Sequence, residues 1–253
     1  MNKTTTGTHG TAQWKRNGTI HTAPLGAGLL SEELYESEPI REGNAYPRQR
    51  NYHGFYWMAE TRRHVWHESL LERDSLLWLD HAADIIAIAA QPMKLIADDG
   101  TIHYPDLLAL DTRGVQTVYD VKPAAHINAK ARAQFEWTRD VCAAVGWEYR
   151  VITELPFQYR VNLTWLGQFR QPGFRPGDEA VRELLASLAA DWSIDTAVQH
   201  LSAESTPVAR SQVFHLLWNR TLTCDMHSRL SGRTPIAAAT GNRTREEFPR
   251  VNA

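Results

Sequence analysis

The stretch HYPDLLALDTRGVQTVYDVKPAA, residues 103–125, decides the fold that the sequence predicts. Two apolar, partly alternating runs, residues 101–110 and 115–121, are separated by the polar sequence DTRG at 111–114. Alternating runs joined by a short glycine-containing segment are typical of a β-hairpin. The pattern therefore predicts two antiparallel strands, the second of which ends in polar residues.

The same stretch carries the candidate chemistry, because Pro105-Asp106 begins the first strand and Asp120-Val121-Lys122 ends the second. Side chains two residues apart on a strand face the same side, so we expect Asp120 and Lys122 together and Val121 in the core. If the hairpin brings Asp106 beside Asp120, two carboxylates and an ammonium meet at one edge of the sheet. Oxygen donors of this kind bind Mg²⁺, which ionises water and neutralises a phosphodiester, so Asp106 and Asp120 would be the primary metal ligands. The Val121 carbonyl would add a ligand, and Lys122 would hold the attacking water or offset phosphate charge.

A predicted helix before this stretch supplies a third carboxylate, Glu72. The apolar positions of residues 68–79 recur at helical spacing, at Leu70, Leu71, Leu77 and Trp78. Glu72 would bind a metal ion or orient water. Glu68 lies four residues earlier on the same face, so either residue fits the role, and the register favours Glu72. His103, three residues before Asp106, is expected near the site, where it would contact the phosphate.

The surrounding pattern predicts an α/β core with a mixed sheet over residues 51–170. Two aromatic strands are expected over 52–66, and strand, kink and strand around Pro92 over 85–96. A helix over 128–145 and a strand over 147–155 follow. The tryptophans of this region are expected to face a core and not to stack on bases: Trp57, Trp66, Trp78, Trp137 and Trp147.

The sequence predicts an extended arm at the N-terminal end of the chain and a small helical domain at the C-terminal end. Residues 1–50, rich in Thr, Gly, Asn and Pro, are expected to form an extended N-terminal arm without chemistry. The sequence QPGFRPG at 171–177 predicts a linker, so residues 171–253 would form a small helical domain with a solvated tail. Three helical patterns are expected there, followed by a small β wing: 178–191, 193–201 and 205–218, then 221–224 and the region of Pro235. This order is typical of a winged-helix-like module, although it also fits a plain helical bundle.

Composition excludes several classes of protein. With 43% hydrophobic and 22% charged residues in 253, a disordered, collagen-like or coiled-coil chain is ruled out. A net charge of −2 means that any nucleic acid must be held by local basic patches or by helper subunits. The widely separated Cys142 and Cys224 favour a reducing compartment, and no segment predicts a membrane span or export signal, so we expect a cytoplasmic protein.

The ordered set of a helical glutamate, Pro-Asp and Asp-x-Lys resembles the PD-(D/E)xK restriction-endonuclease-like superfamily. More closely, HESLLERDSLLWLD, QPMKL, HYPDLLAL and YDVKPAA resemble the TnsA-type endonuclease subunit of heteromeric transposases, over about residues 60–155. The resemblance implies a restriction-endonuclease-like mixed sheet flanked by helices. It also implies that Glu72, Asp106 and Lys122 are catalytic. Asp120 would take the place of a metal-facing polar residue, with the Val121 carbonyl as a ligand.

The resemblance also implies an activity and partners. The family is a Mg²⁺-dependent DNA endonuclease, with Mn²⁺ as a substitute, that hydrolyses one strand of double-stranded DNA at transposon ends. It works with an integrase-fold, TnsB-like transposase subunit and an ATP-dependent, TnsC-like regulator. Two alternatives stay open: a stand-alone restriction or repair nuclease of the same superfamily, and a catalytically silent DNA-binding assembly module. An Asp-x-Lys sequence at a strand end is also common among solvated turn residues that have no catalytic role.

Overall fold

A computed structural model describes residues 9–41, 52–201 and 205–239 of the chain. The chain divides into two compact units. The first contains the described residues up to Leu76 together with Asp84–Glu154, and the second contains Leu77–Ala83 and the described residues from Leu155 onward. Each unit is considered by itself.

The first unit holds most of the strands and the start of the first helix. Its described strands are β1 Gly10–Arg16, β2 Thr19–Pro24, β3 Gly54–Met58, β4 Arg63–His67, β5 Ile85–Ala90, β6 Lys94–Ala97, β7 Ile102–His103, β8 Leu107–Asp111, β9 Gln116–Val121 and β10 Glu148–Ile152. Its helices are α1 Leu70–Ala82, whose second half belongs to the second unit, and α2 Ala129–Val145.

The predicted hairpin is confirmed and forms the centre of a four-stranded sheet in the order β10-β9-β8-β5. β8 and β9 pair antiparallel, with Leu107 beside Tyr119, whereas β9 and β10 pair parallel. Five of the six residues of β9 are buried, as expected for a strand covered on both faces. The predicted mixed α/β architecture is therefore confirmed, and a second four-stranded sheet accompanies it.

That second sheet, β2-β1-β6-β7, includes residues that the sequence assigned to an extended arm. The arm prediction is wrong for residues 9–41. β1 buries Ala12 and Trp14 two residues apart, and the 3₁₀ turns that follow β2 bury Leu29 and Leu34. The alternation in β1 was obscured by its Thr- and Gly-rich surroundings, and its burial depends on pairing with the distant β6. Residues 1–8 and 42–50 of the predicted arm lie outside the described residues.

The predicted strand, kink and strand around Pro92 is confirmed as β5 and β6, which belong to different sheets. The chain turns between them at Gln91, whose φ is 46°. The Gln91 N–H donates to the Asp106 carbonyl at 2.8 Å. The kink thus connects the two sheets beside the start of β8.

Helix α2 begins and ends as the sequence predicts. The side chain of Asn128 accepts a hydrogen bond from the Ala131 N–H, and Gly146 adopts a φ of 99°, a left-handed conformation that glycine takes without a Cβ penalty. The core beneath α2 combines residues from both four-stranded sheets with the buried face of the helix. Its members are Ala12, Trp14, Leu29, Leu34, Met93, Leu95, Leu108, Val118, Val141, Cys142, Val145 and Trp147.

The strands β3 and β4 are confirmed, but the expected direction of two of their tryptophans is not. These strands form a separate two-stranded sheet that buries Tyr56, Met58, Val65 and His67 on one face. Trp57 and Trp66 lie on the opposite face and are half-buried, so the prediction that they face a core is wrong. Trp78 and Trp147 are buried as predicted. In α1, Leu77 is buried as predicted, whereas Leu70 at the first position of the helix is exposed.

The second unit is mostly helical. Its elements after α1 are α3 Phe157–Leu166, α4 Asp178–Ser187, α5 Ile194–His200, α6 Thr206–Trp218, β11 Leu222–Cys224 and β12 Ile236–Ala238. The three helices predicted beyond residue 177 and the pairing of the small β wing are confirmed. The predicted tail, residues 241–253, lies outside the described residues.

The unit begins at Leu155 and not at the predicted linker of 171–177, because it includes the unpredicted helix α3. Asn162 of α3 donates to the carbonyls of Met226 and Ser228, at 2.9 and 2.8 Å. The apolar residues of α3 recur at every second position from Phe157 to Trp165, which is the period of a strand and not of a helix.

Within the described ranges, no helix combines the length and hydropathy that a membrane span requires.

Candidate active site

Asp106 is fixed against the end of β9 by main-chain hydrogen bonds. Its N–H donates to the Tyr119 carbonyl at 3.1 Å, and its Oδ2 accepts from the Val121 N–H at 2.6 Å. The Gln91 N–H holds the Asp106 carbonyl. The carboxylate therefore lies beside the main chain of the Asp120-Val121-Lys122 segment, as the hairpin predicts.

The like charges that act on Asp106 come from the other predicted carboxylates. Desolvation raises the pKa of Asp106 well above its usual value, and the negative charges of Asp120, Glu72 and Glu68 raise it further, in that order. The hydrogen bond from Val121 opposes this shift only in part. The carboxylates of Asp120, Glu72 and Glu68 therefore all act on Asp106 as like charges, the first two more strongly than the third.

Asp120 faces inward, which differs from the prediction that it lies at an open sheet edge with Val121 in the core. Only 3% of Asp120 is exposed, whereas Val121 is half-buried. The reason is that β9 is covered on both faces, so alternation along it does not separate core from solvent. Both carboxylate oxygens of Asp120 lie 3.0 Å from His103 Nε2, and the Tyr149 hydroxyl donates to Oδ2 at 2.5 Å.

His103 is buried, and both of its ring nitrogens are engaged. Nε2 donates to Asp120, so Nδ1 is left to accept from the Gln134 side-chain N–H of α2. A contact between His103 and phosphate would have to replace one of these hydrogen bonds, and that contact stays a prediction. Burial, followed by the charge of Asp120, raises the pKa of Tyr149, which keeps the phenol protonated and able to donate.

Sequence reasoning placed His103 near the site but missed Gln134 and Tyr149. Tyr149 comes from β10. No local sequence pattern predicts that β10 pairs parallel with β9. Gln134 lies on α2, and its sequence context does not distinguish it from a glutamine on the solvent-exposed face of a helix. We call the four side chains His103, Asp120, Gln134 and Tyr149 the Asp120 network.

Glu72 occupies the first turn of α1 and is held by the residues that begin the helix. Its carboxylate accepts from the Glu68 N–H at 2.7 Å and from the Ser69 hydroxyl at 2.9 Å. The Ser69 Oγ in turn accepts from the Glu72 N–H at 3.2 Å. This reciprocal arrangement resembles a capping box, so Glu72 stabilises the helix start in addition to any catalytic role.

The structure also separates the two candidate glutamates. Glu72 raises the pKa of Asp106 more than Glu68 does. The Glu68 carboxylate forms an ion pair with Arg41 at 3.5 Å. Burial raises the pKa of Glu72 itself, and the charge of Glu68 adds to the shift. Of the two, Glu72 is the better candidate for sharing a cation with Asp106.

Lys122 directly follows β9 and is half-buried. Its N–H donates to the Ile152 carbonyl at 2.9 Å, which continues the pairing of β9 with β10. Among the described residues its ammonium has no ion-pair partner. The lysine is therefore positioned by its main chain, one residue beyond the amide that holds Asp106.

The donor set fits a hard divalent cation that keeps part of its water. Within the described residues, no three His, Cys, Asp or Glu side chains converge into a ready-made metal site. Mg²⁺ is bound in many enzymes by one or two carboxylates with water and substrate oxygens completing its shell. The mutual repulsion seen in the raised pKa of Asp106 is what such a cation would relieve.

No protein-family model matches the chain, and no curated protein sequence matches it.

Proposed function

We propose that the chain is a divalent-metal-dependent DNA endonuclease that hydrolyses one phosphodiester bond. The observation that carries this proposal is the placement of Asp106, whose carboxylate binds the Val121 amide while the charges of Asp120 and Glu72 raise its pKa. A buried carboxylate whose pKa is strongly raised by desolvation and by neighbouring like charges is typical of active sites. A purely structural cluster would be more stable with fewer carboxylates.

In this proposal Asp106, Glu72 and the Val121 carbonyl would hold Mg²⁺ or Mn²⁺. Asp120, the other predicted primary ligand, would have to give up a hydrogen bond from His103 or Tyr149 to join them. The bound ion would lower the pKa of a water molecule and stabilise charge on the phosphate. Lys122 orients the attacking water and offsets negative charge as the phosphate is attacked. Asp120 keeps the end of β9 in place through its bonds to His103 and Tyr149, and its charge adds to the field that attracts the cation. The nucleophile is water, so no covalent enzyme intermediate forms.

We further propose that the first unit has the restriction-endonuclease-like fold and the second a winged-helix-like module. In support, the hairpin β8–β9 is followed by α2 and then by β10, which pairs parallel to β9. In the second unit, α4, α5 and α6 precede the antiparallel pair β11–β12. Within this proposal the biological role is that of a TnsA-type subunit, with a TnsB-like transposase and a TnsC-like regulator as partners.

The proposal is tested by strand cleavage with purified variants. Lys122→Ala and Asp106→Ala are expected to remain folded and to lose nicking of end-bearing DNA in the assembled transposition system. Lys130→Ala, which removes an exposed lysine from α2, is the matched control and is expected to cleave like the wild type. Wild-type nicking by purified Lys122→Ala would exclude the assignment.

The silent-module alternative is separated from this proposal by metal binding. Calorimetric titration with Mn²⁺ is expected to detect a site that disappears in Asp106→Ala. A chain that binds DNA without any Asp106-dependent metal site would be an assembly module.

A further inference from the structure

The outer face of the β3–β4 sheet carries a continuous row of aromatic rings. The row, which we call the aromatic strip, consists of His53, Trp66, Phe55, His64 and Trp57 in spatial order. Successive ring centroids are 5.4, 5.1, 6.3 and 5.0 Å apart. Cross-strand pairing creates this row, because Phe55 lies beside Trp66 and Trp57 beside His64.

The aromatic strip is held outward by the burial of the opposite face. Tyr56, Met58, Val65 and His67 anchor the hairpin in the first unit. Phe55 is 65% exposed, His53 and His64 are also exposed, and the two indoles are half-buried. A surface aromatic of this size removes apolar area from water only when something covers it. Within the described residues the strip is therefore an open face and not part of a core.

The chemistry of the aromatic strip favours nucleobases over an aliphatic protein surface. The face has no aliphatic side chain to interdigitate with a partner, and it consists of flat rings that offer π-faces and N–H donors. Such rings stack on bases irrespective of sequence. Of the two arginines in the hairpin segment 52–67, Arg63 forms an ion pair with Glu36 and lies on the same face of β4 as the buried Val65 and His67. The exposed Arg62 in the turn is the arginine of this segment that is left to contact a phosphate, so base stacking and not charge is the main interaction that the strip offers.

We propose that the aromatic strip binds unpaired nucleotides of a DNA strand, by stacking of their bases. The inference rests on the proposed function for its choice of DNA, and it adds the form of DNA that the chain would engage. β4 ends at His67, and the next residue, Glu68, donates its N–H to Glu72 at the start of α1. A strand held on the strip is therefore held on the segment that leads directly into the acidic cluster.

The test measures the affinity of the full chain for two labelled probes by fluorescence anisotropy, with EDTA present to prevent cleavage. The probes are an oligothymidylate of about fifteen nucleotides and a blunt duplex of the same length. Phe55→Ala and Trp66→Ala are each expected to weaken single-strand binding about tenfold, because each removes a stacking ring. Trp66→Phe, which keeps a ring, is expected to retain most of the affinity. Phe157→Ala removes a 72% exposed ring from the second unit and is expected to change nothing.

The outcomes separate this inference from the nuclease proposal. Because the assay contains EDTA and measures no cleavage, its result does not depend on whether the chain is a nuclease. Unchanged single-strand affinity in folded Phe55→Ala and Trp66→Ala would overturn the inference and leave the active-site assignment untouched. If these variants instead altered only self-association in sedimentation experiments, the strip would be a protein interface, and the inference would be wrong. Circular dichroism of Trp66→Phe and Phe55→Ala checks that the hairpin remains folded.

Discussion

Asp106 is destabilising in the absence of a cation, because its carboxylate is desolvated and surrounded by like charges. Its pKa is raised in the folded state, so the folded protein binds a proton there more readily than the unfolded chain. Stability is therefore lost as the pH rises through the raised pKa, starting above the usual value of 3.8. Asp106→Asn keeps an oxygen acceptor for the Val121 N–H and removes the charge. We expect it to raise the free energy of unfolding by about 0.5–2 kcal/mol at neutral pH in EDTA, measured by urea denaturation.

Asp111 lies in the same sheet and provides a control, because its pKa is lowered whereas that of Asp106 is raised. Although burial raises its pKa, hydrogen bonds from Arg113 and Val115 lower it overall. Asp111→Asn should therefore destabilise the protein at neutral pH. Addition of Mn²⁺ should raise the melting temperature of the wild type and of Asp111→Asn, but not of Asp106→Asn. Equal destabilisation by both substitutions would contradict the repulsion inferred at Asp106.

Tyr149 is expected to matter through its hydroxyl alone. Its O–H donates to the buried Asp120 carboxylate at 2.5 Å, and a hydrogen bond to a charged group contributes about 1.5–3 kcal/mol. We expect Tyr149→Phe to lower the free energy of unfolding by an amount in this range. Tyr52 is 70% exposed, so Tyr52→Phe should change the free energy of unfolding by less than about 0.5 kcal/mol. Chemical denaturation of both variants measures the difference, and a neutral Tyr149→Phe would mean that His103 alone satisfies Asp120.

The start of α1 combines helix capping with the candidate chemistry, and two substitutions separate these roles. Glutamine serves in a capping box as glutamate does, so Glu72→Gln should unfold within about 0.5 kcal/mol of the wild type and lose cleavage. Ser69→Ala removes the hydroxyl that accepts from the Glu72 N–H and should cost about 1 kcal/mol, with cleavage retained. Thermal unfolding and nicking assays on the pair provide the measurements. If Glu72→Gln cleaved normally, Glu68→Gln would become the decisive variant.

The elements that the sequence predicts well are those whose signals are local. The β8–β9 hairpin, α1 and α2 each contain their own period, turn or cap, as with Asn128 and Gly146 at the ends of α2. The elements it missed depend on distant partners. β1 needs β6 to bury Trp14, and α3 is held through Asn162 by a loop more than sixty residues away.

The residues of the candidate site also divide into those that local sequence signals predict and those that depend on distant partners. The nearness of Asp106 to Asp120 follows from the hairpin, because the register that pairs Leu107 with Tyr119 places them side by side. The inward direction of Asp120 does not follow, since it depends on α2 and β10 covering a strand that sequence alternation treats as half-exposed. Trp57 and Trp66 show the converse, because large apolar residues were expected inside and lie on an open face.

The charge of the whole chain bears on how it would engage DNA. With 27 basic and 29 acidic side chains, the protein lacks the excess positive charge that drives salt-dependent binding to duplex DNA. If it is a transposase subunit, its partner must supply most of the phosphate contacts. We therefore expect the isolated chain with Mg²⁺ to leave transposon-end duplexes uncut at physiological salt, and to nick them when an integrase-fold partner is added. Gel assays of both mixtures, with Asp106→Asn plus partner as the control, measure this dependence. Efficient, Asp106-dependent cutting by the isolated chain would instead favour a stand-alone nuclease, since a free enzyme must bind its own substrate.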